Sequence, residues 1–298
     1  MRPKELTLVD RALIAIPLAW LLALLAAPLV AVVLLSVHLI ADAIPPIAPL
    51  LSRAGGHLAI HASMRGFEMV THDMLYVTAF WNAVVNAIFT MIGCVLVGFP
   101  IALAIAQAPA KRRNWYVFLA ILPFWTSFLL RAYAWIGLIR DSGPLNAVLL
   151  WLGVIHHPIA ILYTPAAVLL VMVYSYLPFF VLPMYAVLED LPAEYLAAAA
   201  DLGAKPVYAF RTVTLPLALP GLISGAVLVF IPAVGEYVIP ELVGNSNRMM
   251  IGSILWEEFF ENRDWPLAAA IAVVTFLLLI VPSYLLRHWL GPVGTSKQ

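Results

Sequence analysis

Six long apolar runs, at residues 12–37, 82–106, 115–139, 164–188, 216–235 and 267–286, leave few folds open to this chain. A hydrocarbon core about 30 Å thick takes about 20 apolar residues per helix, and each run meets that length. Inside lipid every backbone polar group has to be bonded within a helix or a closed barrel. The runs lack the strict in-out alternation of barrel strands, so they read as helices. With 64% hydrophobic and 11% charged residues, the chain falls far outside soluble domains, in which about a quarter of residues are charged. The expected fold is therefore an all-α membrane protein of six transmembrane helices, residues 1–298 forming a single transmembrane domain.

The first run follows a basic start that resembles a secretory signal, but its 26 residues exceed a signal core of about 7 to 15, and no small-residue cleavage site follows. It is expected to stay as the first helix. Residues 38–81, broken by Pro45, Pro46 and Pro49, are expected outside the membrane. Cys94, the lone cysteine, lies within an apolar run and reads as a packing residue. His57, His61, His72, His156 and His157 are scattered without a metal-binding spacing.

Lysine and arginine placement orients the spans. With the N-terminus inside, the inner segments hold ten of the sixteen basic residues, including the cluster Lys111, Arg112 and Arg113. The acids lean the other way, with Glu236, Glu241, Glu257, Glu258, Glu261 and Asp264 at or beyond the outer ends. Both termini are expected on the cytoplasmic side of the membrane.

The connection at 189–215 carries the most specific pattern. Pro192 precedes a run of strong helix formers at 193–202, and Gly203 stands where a helix stop is expected. A short helix, a glycine turn and a second short element leading to Leu215 and Pro216 follow from the residues. Leu196, Ala200, Leu202 and Phe210 offer too little apolar surface for an independent core, so the segment is shaped to dock on a partner.

This segment resembles the EAA loop of permease subunits in ATP-binding-cassette importers, in which a Glu-Ala-Ala triplet and a glycine precede an aliphatic residue and Leu-Pro. Ala198, Ala199, Gly203, Val213, Leu215 and Pro216 stand at the matching places, while Ala197 replaces the motif glutamate. Glu194, one turn earlier, or Asp201, one turn later, is placed to supply the missing carboxylate. Ala204 and Phe210 complete the candidate coupling residues. Further stretches, including Leu122 to Ser127, Phe230 to Tyr237 and Asn262 to Pro266, are similar to spermidine and putrescine importer permeases, that around Glu236 most to the putrescine branch. The resemblance implies a type I importer permease fold with a cytoplasmic helix-turn-helix. It also implies a second, related permease, two cytoplasmic ATP-binding subunits and a periplasmic polyamine-binding protein as partners. Such a subunit is no enzyme and holds no cofactor, ATP and Mg²⁺ residing on the ATPase; membrane lipid surrounds it and nucleic acid has no part.

A polyamine path calls for spaced carboxylates and aromatic faces. Glu236 lies 20 residues beyond Pro216, about 30 Å along a helix, and an ionisable residue at such depth is a functional candidate. The alternative is a solvated helix end paired with Arg131 or Arg248. Trp125 and Trp135, ten residues apart, fall about 80° apart on one straight helix and would flank one cavity, although an interfacial belt is the default for such residues. Tyr133, Tyr237, Glu241 and Asp264 join the candidate path. The acidic segment 257–264 suits attraction of cations, docking of a binding protein, or a solvated face equally. A channel or ion-coupled carrier would account for Glu236 but not for the helix-turn-helix, and an enzyme would need a catalytic cluster that the residues do not supply.

Overall fold

The computed structural model describes residues 8–54, 57–245 and 249–289. In chain order the elements are α1 (Leu8–Leu35), a hairpin of β1 (Leu51–Ala54) and β2 (His57–Ile60), α2 (Arg65–His72), α3 (Met74–Ala106), α4 (Ala110–Ile121), α5 (Phe128–Ile139) and α6 (Pro144–Trp151). There follow α7 (Pro165–Glu189), α8 (Ala193–Asp201), α9 (Pro206–Ala209), α10 (Leu215–Val234), α11 (Val238–Val243), α12 (Ile251–Trp256) and α13 (Trp265–Trp289). The chain forms two compact units, one of residues 1–77 with 255–278 and one of 78–254 with 279–298.

Among the described residues four helices are long and apolar enough to cross a membrane: Leu13–Leu35, Met74–Ala106, Pro165–Glu189 and Pro206–Val234. A fifth crossing exists if the pair Ala110–Trp125 and Phe128–Trp151, bent by 91°, counts as one span. The expected run at 115–139 is therefore not one straight helix. Pro123 has no N–H to give and opens a 3-10 turn, Leu122–Trp125, after which Thr126 and Ser127 are extended. The Thr126 hydroxyl donates to the Pro123 carbonyl at 2.8 Å, satisfying an acceptor that the broken helix leaves open. A second correction concerns 38–81, which is not all connection. It contains the hairpin, with Leu51 opposite Ile60, and α2, and α3 begins at Met74, eight residues before the expected 82. Asp73 makes that early start, its Oδ1 accepting from the Leu75 N–H at 2.9 Å.

In the first unit α1 is exposed along its apolar window, none of which is buried. The second unit is built around α7, more than half of whose window is buried. Phe180 on α7 is fully buried between two glycines. A Cβ on Gly98 of α3 would lie 2.6 Å from its ring, and one on Gly225 of α10 would lie 2.8 Å from it. One turn away, a Cβ on Gly221 would come within 2.9 Å of Val187. The small residues let the helix backbones approach where lipid offers no hydrophobic drive of its own.

Candidate functional site

The loop after α7 folds as its residues predict. Pro192 is extended and stands at the N-cap position of α8, and Gly203, at φ 79°, closes the helix in the left-handed region. The Gly203 N–H donates to Ala200 O at 2.9 Å and the Ala204 N–H to Ala199 O at 3.0 Å, the paired bonds of a Schellman stop. The chain then turns through α9 and a π-helical turn, Phe210–Thr214, into α10, with Pro216 in its first turn. Glu194, Ala198 and Asp201 are exposed, and Ala199 and Ala204 half-buried. Tyr195, Leu196, Leu202, Val207 and Tyr208 are also exposed, Leu202 to 89%. Phe210 faces the other way, its ring edge-on to Phe99 of α3 at 5.6 Å, and Leu215 is half-buried. The loop thus presents apolar side chains outward and is pinned to the bundle by Phe210.

At the far end of α10 the helix stops at Val234, and the chain breaks at Gly235 before α11. Glu236 sits in the break and is 8% exposed, so it is no solvated helix end. Its partners are not those expected from sequence. Tyr176 of α7 donates its hydroxyl to Oε2, and the N–H groups of Val238 and Ile239 donate to Oε1 at 2.9 and 3.3 Å. The carboxylate thereby caps α11 and ties it to α7. Gly252 closes the same place, since a Cβ there would lie 2.6 Å from the Gly235 carbonyl oxygen. Arg131, the proposed ion partner, lies instead over the rings of Phe124 and Phe128, 5.3 and 5.6 Å from their centroids. Its Nε and Nη1 are buried without a hydrogen-bond partner among the described residues. Arg248 lies outside the described residues.

The bend separates the two tryptophans, so the 80° relation read for one straight helix does not hold. Trp125, in the 3-10 turn, is 75% exposed and meets Phe118 edge-on, whereas Trp135, on α5, meets Tyr174 of α7 edge-on at 5.3 Å. Tyr133 and Glu241 are exposed and Tyr237 is half-buried. In the other unit Asp264 caps α13, its Oδ1 accepting from the Leu267 N–H at 3.0 Å. Of the acidic segment, Glu258 accepts from the Tyr76 hydroxyl at 3.2 Å and from Asn262 at 3.0 Å, leaving Glu257 and Glu261 exposed.

Sequence reasoning missed Tyr176, Gly252 and the pairing of Arg113 with Glu189 at 2.8 Å. A tyrosine within an apolar helix and a glutamate at a span's end were the only signals. Neither names its partner.

Residues 79–292 match the family described as binding-protein-dependent transport system inner membrane component. The spermidine/putrescine transport system permease protein PotB of Escherichia coli is 38% identical over 217 residues, 73% of this chain and 78% of the relative. Its Haemophilus influenzae counterpart is 37% identical over 213 residues, 70% of this chain and 74% of the relative. A bacterial alginate ABC transporter, solved with an alginate pentasaccharide-bound periplasmic protein, shares the fold at a TM-score of 0.68 and 15% identity, covering 94% of this chain and 93% of that one.

Proposed function

We propose that this chain, which belongs to the family of binding-protein-dependent transport inner membrane components, is one of two permease subunits of an ATP-driven polyamine importer. Putrescine is the favoured cargo and spermidine the second. The observation that carries this reading is the 38% identity to a spermidine/putrescine permease over 73% of the chain. The family match at 79–292 includes both the α8–α9 loop and the break at Glu236. On this reading the chain makes six crossings, the sixth supplied by α13, with both termini in the cytoplasm.

The coupling surface is α8 to α9, where exposed Tyr195, Leu196 and Leu202 enter a groove of a cytoplasmic ATPase. With Ala197 at the motif glutamate, Glu194 or Asp201 supplies the charge beside those apolar anchors. ATP and Mg²⁺ bind that ATPase and not this chain. A periplasmic binding protein delivers the polyamine, and Trp125, Tyr133, Trp135, Glu236, Tyr237, Glu241 and Asp264 are the residues assigned to its path or entrance. Aromatic faces and spaced carboxylates hold an ammonium chain weakly enough to release it.

Reconstitution in proteoliposomes with the second permease, the ATPase and the binding protein tests the reading. Putrescine uptake should require both ATP and the ATPase. Uptake that persists when the ATPase is left out would make the chain a channel or carrier, and failure with both polyamines would remove the cargo assignment.

A further inference from the structure

Arg113 stands in the first turn of α4 and joins three helix ends. Its Nη1 bonds Glu189 Oε1, at the last residue of α7, at 2.8 Å. Its Nη2 donates to the carbonyl oxygens of Ala106, the last residue of α3, and Ala108, at 3.1 and 3.4 Å. Only arginine has the planar fork to hold a carboxylate and backbone carbonyls together. Retention of charge on the inner side does not account for this geometry, because Lys111 and Arg112 next to it are exposed and carry the same sign.

The positions of the joined ends give the contact a direction. Past Glu189 the chain enters α8 within four residues, so Glu189 is the root of the docking loop. Past Arg113, α4 runs without interruption to the break at Pro123, beyond which α5 carries Arg131 and Trp135. α4 and α7 pack on each other, and α5 packs on both α7 and α11, whose start Glu236 caps. α8 is thus linked to the bent span by two routes, through the packed body of α7 and through the Arg113 fork. The fork sits at the foot of α4, one helix away from the break at residues 122–127.

We propose that Arg113, through Glu189, is a positioning residue that ties the docking loop to the bent span, so that movement of the loop swings α4 and α5 rather than only rocking α7. The proposal rests on the importer reading above. It assigns to Arg113 and Glu189 a role in coupling that is separate from any contact with the ATPase or with cargo.

The test uses the complete reconstituted importer and reads polyamine taken up per ATP hydrolysed in Arg113→Gln, Glu189→Gln and the double variant. Both single variants should lower that ratio about fivefold or more, the lower end of ordinary coupling between sites. The double variant should be no worse than the weaker single within about twofold, because the two act through one contact. Arg113→Lys, which keeps the charge and loses the fork, should also fall short of wild type. A purely structural role would lower the amount of assembled complex and leave the ratio alone, and a wild-type ratio in Glu189→Gln overturns the proposal. Multiplicative losses in the double variant also overturn it. Should Arg113→Gln fail to assemble, Glu189→Gln decides alone, since it leaves both carbonyl bonds in place. If the wild-type complex itself shows no ATP-driven uptake, the importer reading has failed before any variant is compared.

Discussion

A buried carboxylate normally calls for a cation, yet Glu236 is held by a phenol and two backbone amides. That arrangement gives it two roles that a pair of substitutions separates. Glu236→Gln keeps an acceptor for the Val238 and Ile239 N–H groups while removing the charge, so the cap survives and the electrostatics do not. If the carboxylate meets an ammonium group during transport, uptake at subsaturating putrescine should fall by about tenfold or more, the lower end of a hydrogen bond to a charged group at 1.5–3 kcal/mol. Tyr176→Phe does the converse: it keeps the charge and removes a donor to a buried oxygen, costing about 1–3 kcal/mol of stability. Its uptake per assembled complex should stay within about threefold of wild type, while thermal unfolding moves down. Wild-type uptake by Glu236→Gln would leave Glu236 the cap of α11 and nothing more.

What an element does was legible where local chemistry decided it. Pro192, the alanine run and Gly203 mark α8 without help from the rest of the chain, and the structure returns that helix with its glycine stop. Pro123 carries the same kind of signal for the bend, but it lies within an apolar run whose length alone fits one unbroken span. The start of α3 is hidden in the sequence for a related reason, since only the bond from the Leu75 N–H to its side chain marks Asp73 as a helix cap rather than a loop residue. Contacts such as Tyr176 to Glu236, 60 residues apart, and Arg113 to Glu189, 76 apart, have no period, and only the packed bundle reveals them. The glycine stop supplies the prediction at this scale. Among the described residues, its chain neighbours aside, none comes within 4 Å of a Cβ at Gly203, so Gly203→Val acts through the backbone, at about 1–2 kcal/mol for a residue held left-handed. The subunit should insert and assemble, with uptake per ATP hydrolysed reduced, and Gly203→Asn should be milder because asparagine tolerates this conformation. Normal coupling in the valine variant would show that α8 is not the coupling element.

For the whole molecule the open quantity is the number of crossings, and the Arg113 to Glu189 contact bears on it directly. Pro165–Glu189 is long and apolar enough for a full crossing, which would put its first residue across the membrane from Glu189. Arg113 bonds Glu189 and also the carbonyls of Ala106, the last residue of α3, and of Ala108, which puts the ends of α3 and α7 and the start of α4 at one face. If α7 crosses, the chain between Arg113 and Pro165 has only the bent pair with which to change sides, which favours a broken span over a re-entrant loop and gives five candidate crossings among the described residues. α13, 25 residues and about 37 Å long, has the length for a sixth. Parity then decides between five and six. An even count returns the C-terminus to the side of the N-terminus, while an odd count leaves the two on opposite sides. With Cys94 replaced by alanine, impermeant thiol labelling of single cysteines should reach positions 111 and 205 only from the cytoplasm and position 257 only from outside. Tags on the two termini should both be cytoplasmic. Opposite termini would make α13 an interfacial helix, and labelling of position 111 from outside would reverse the orientation and take the docking loop away from any cytoplasmic partner.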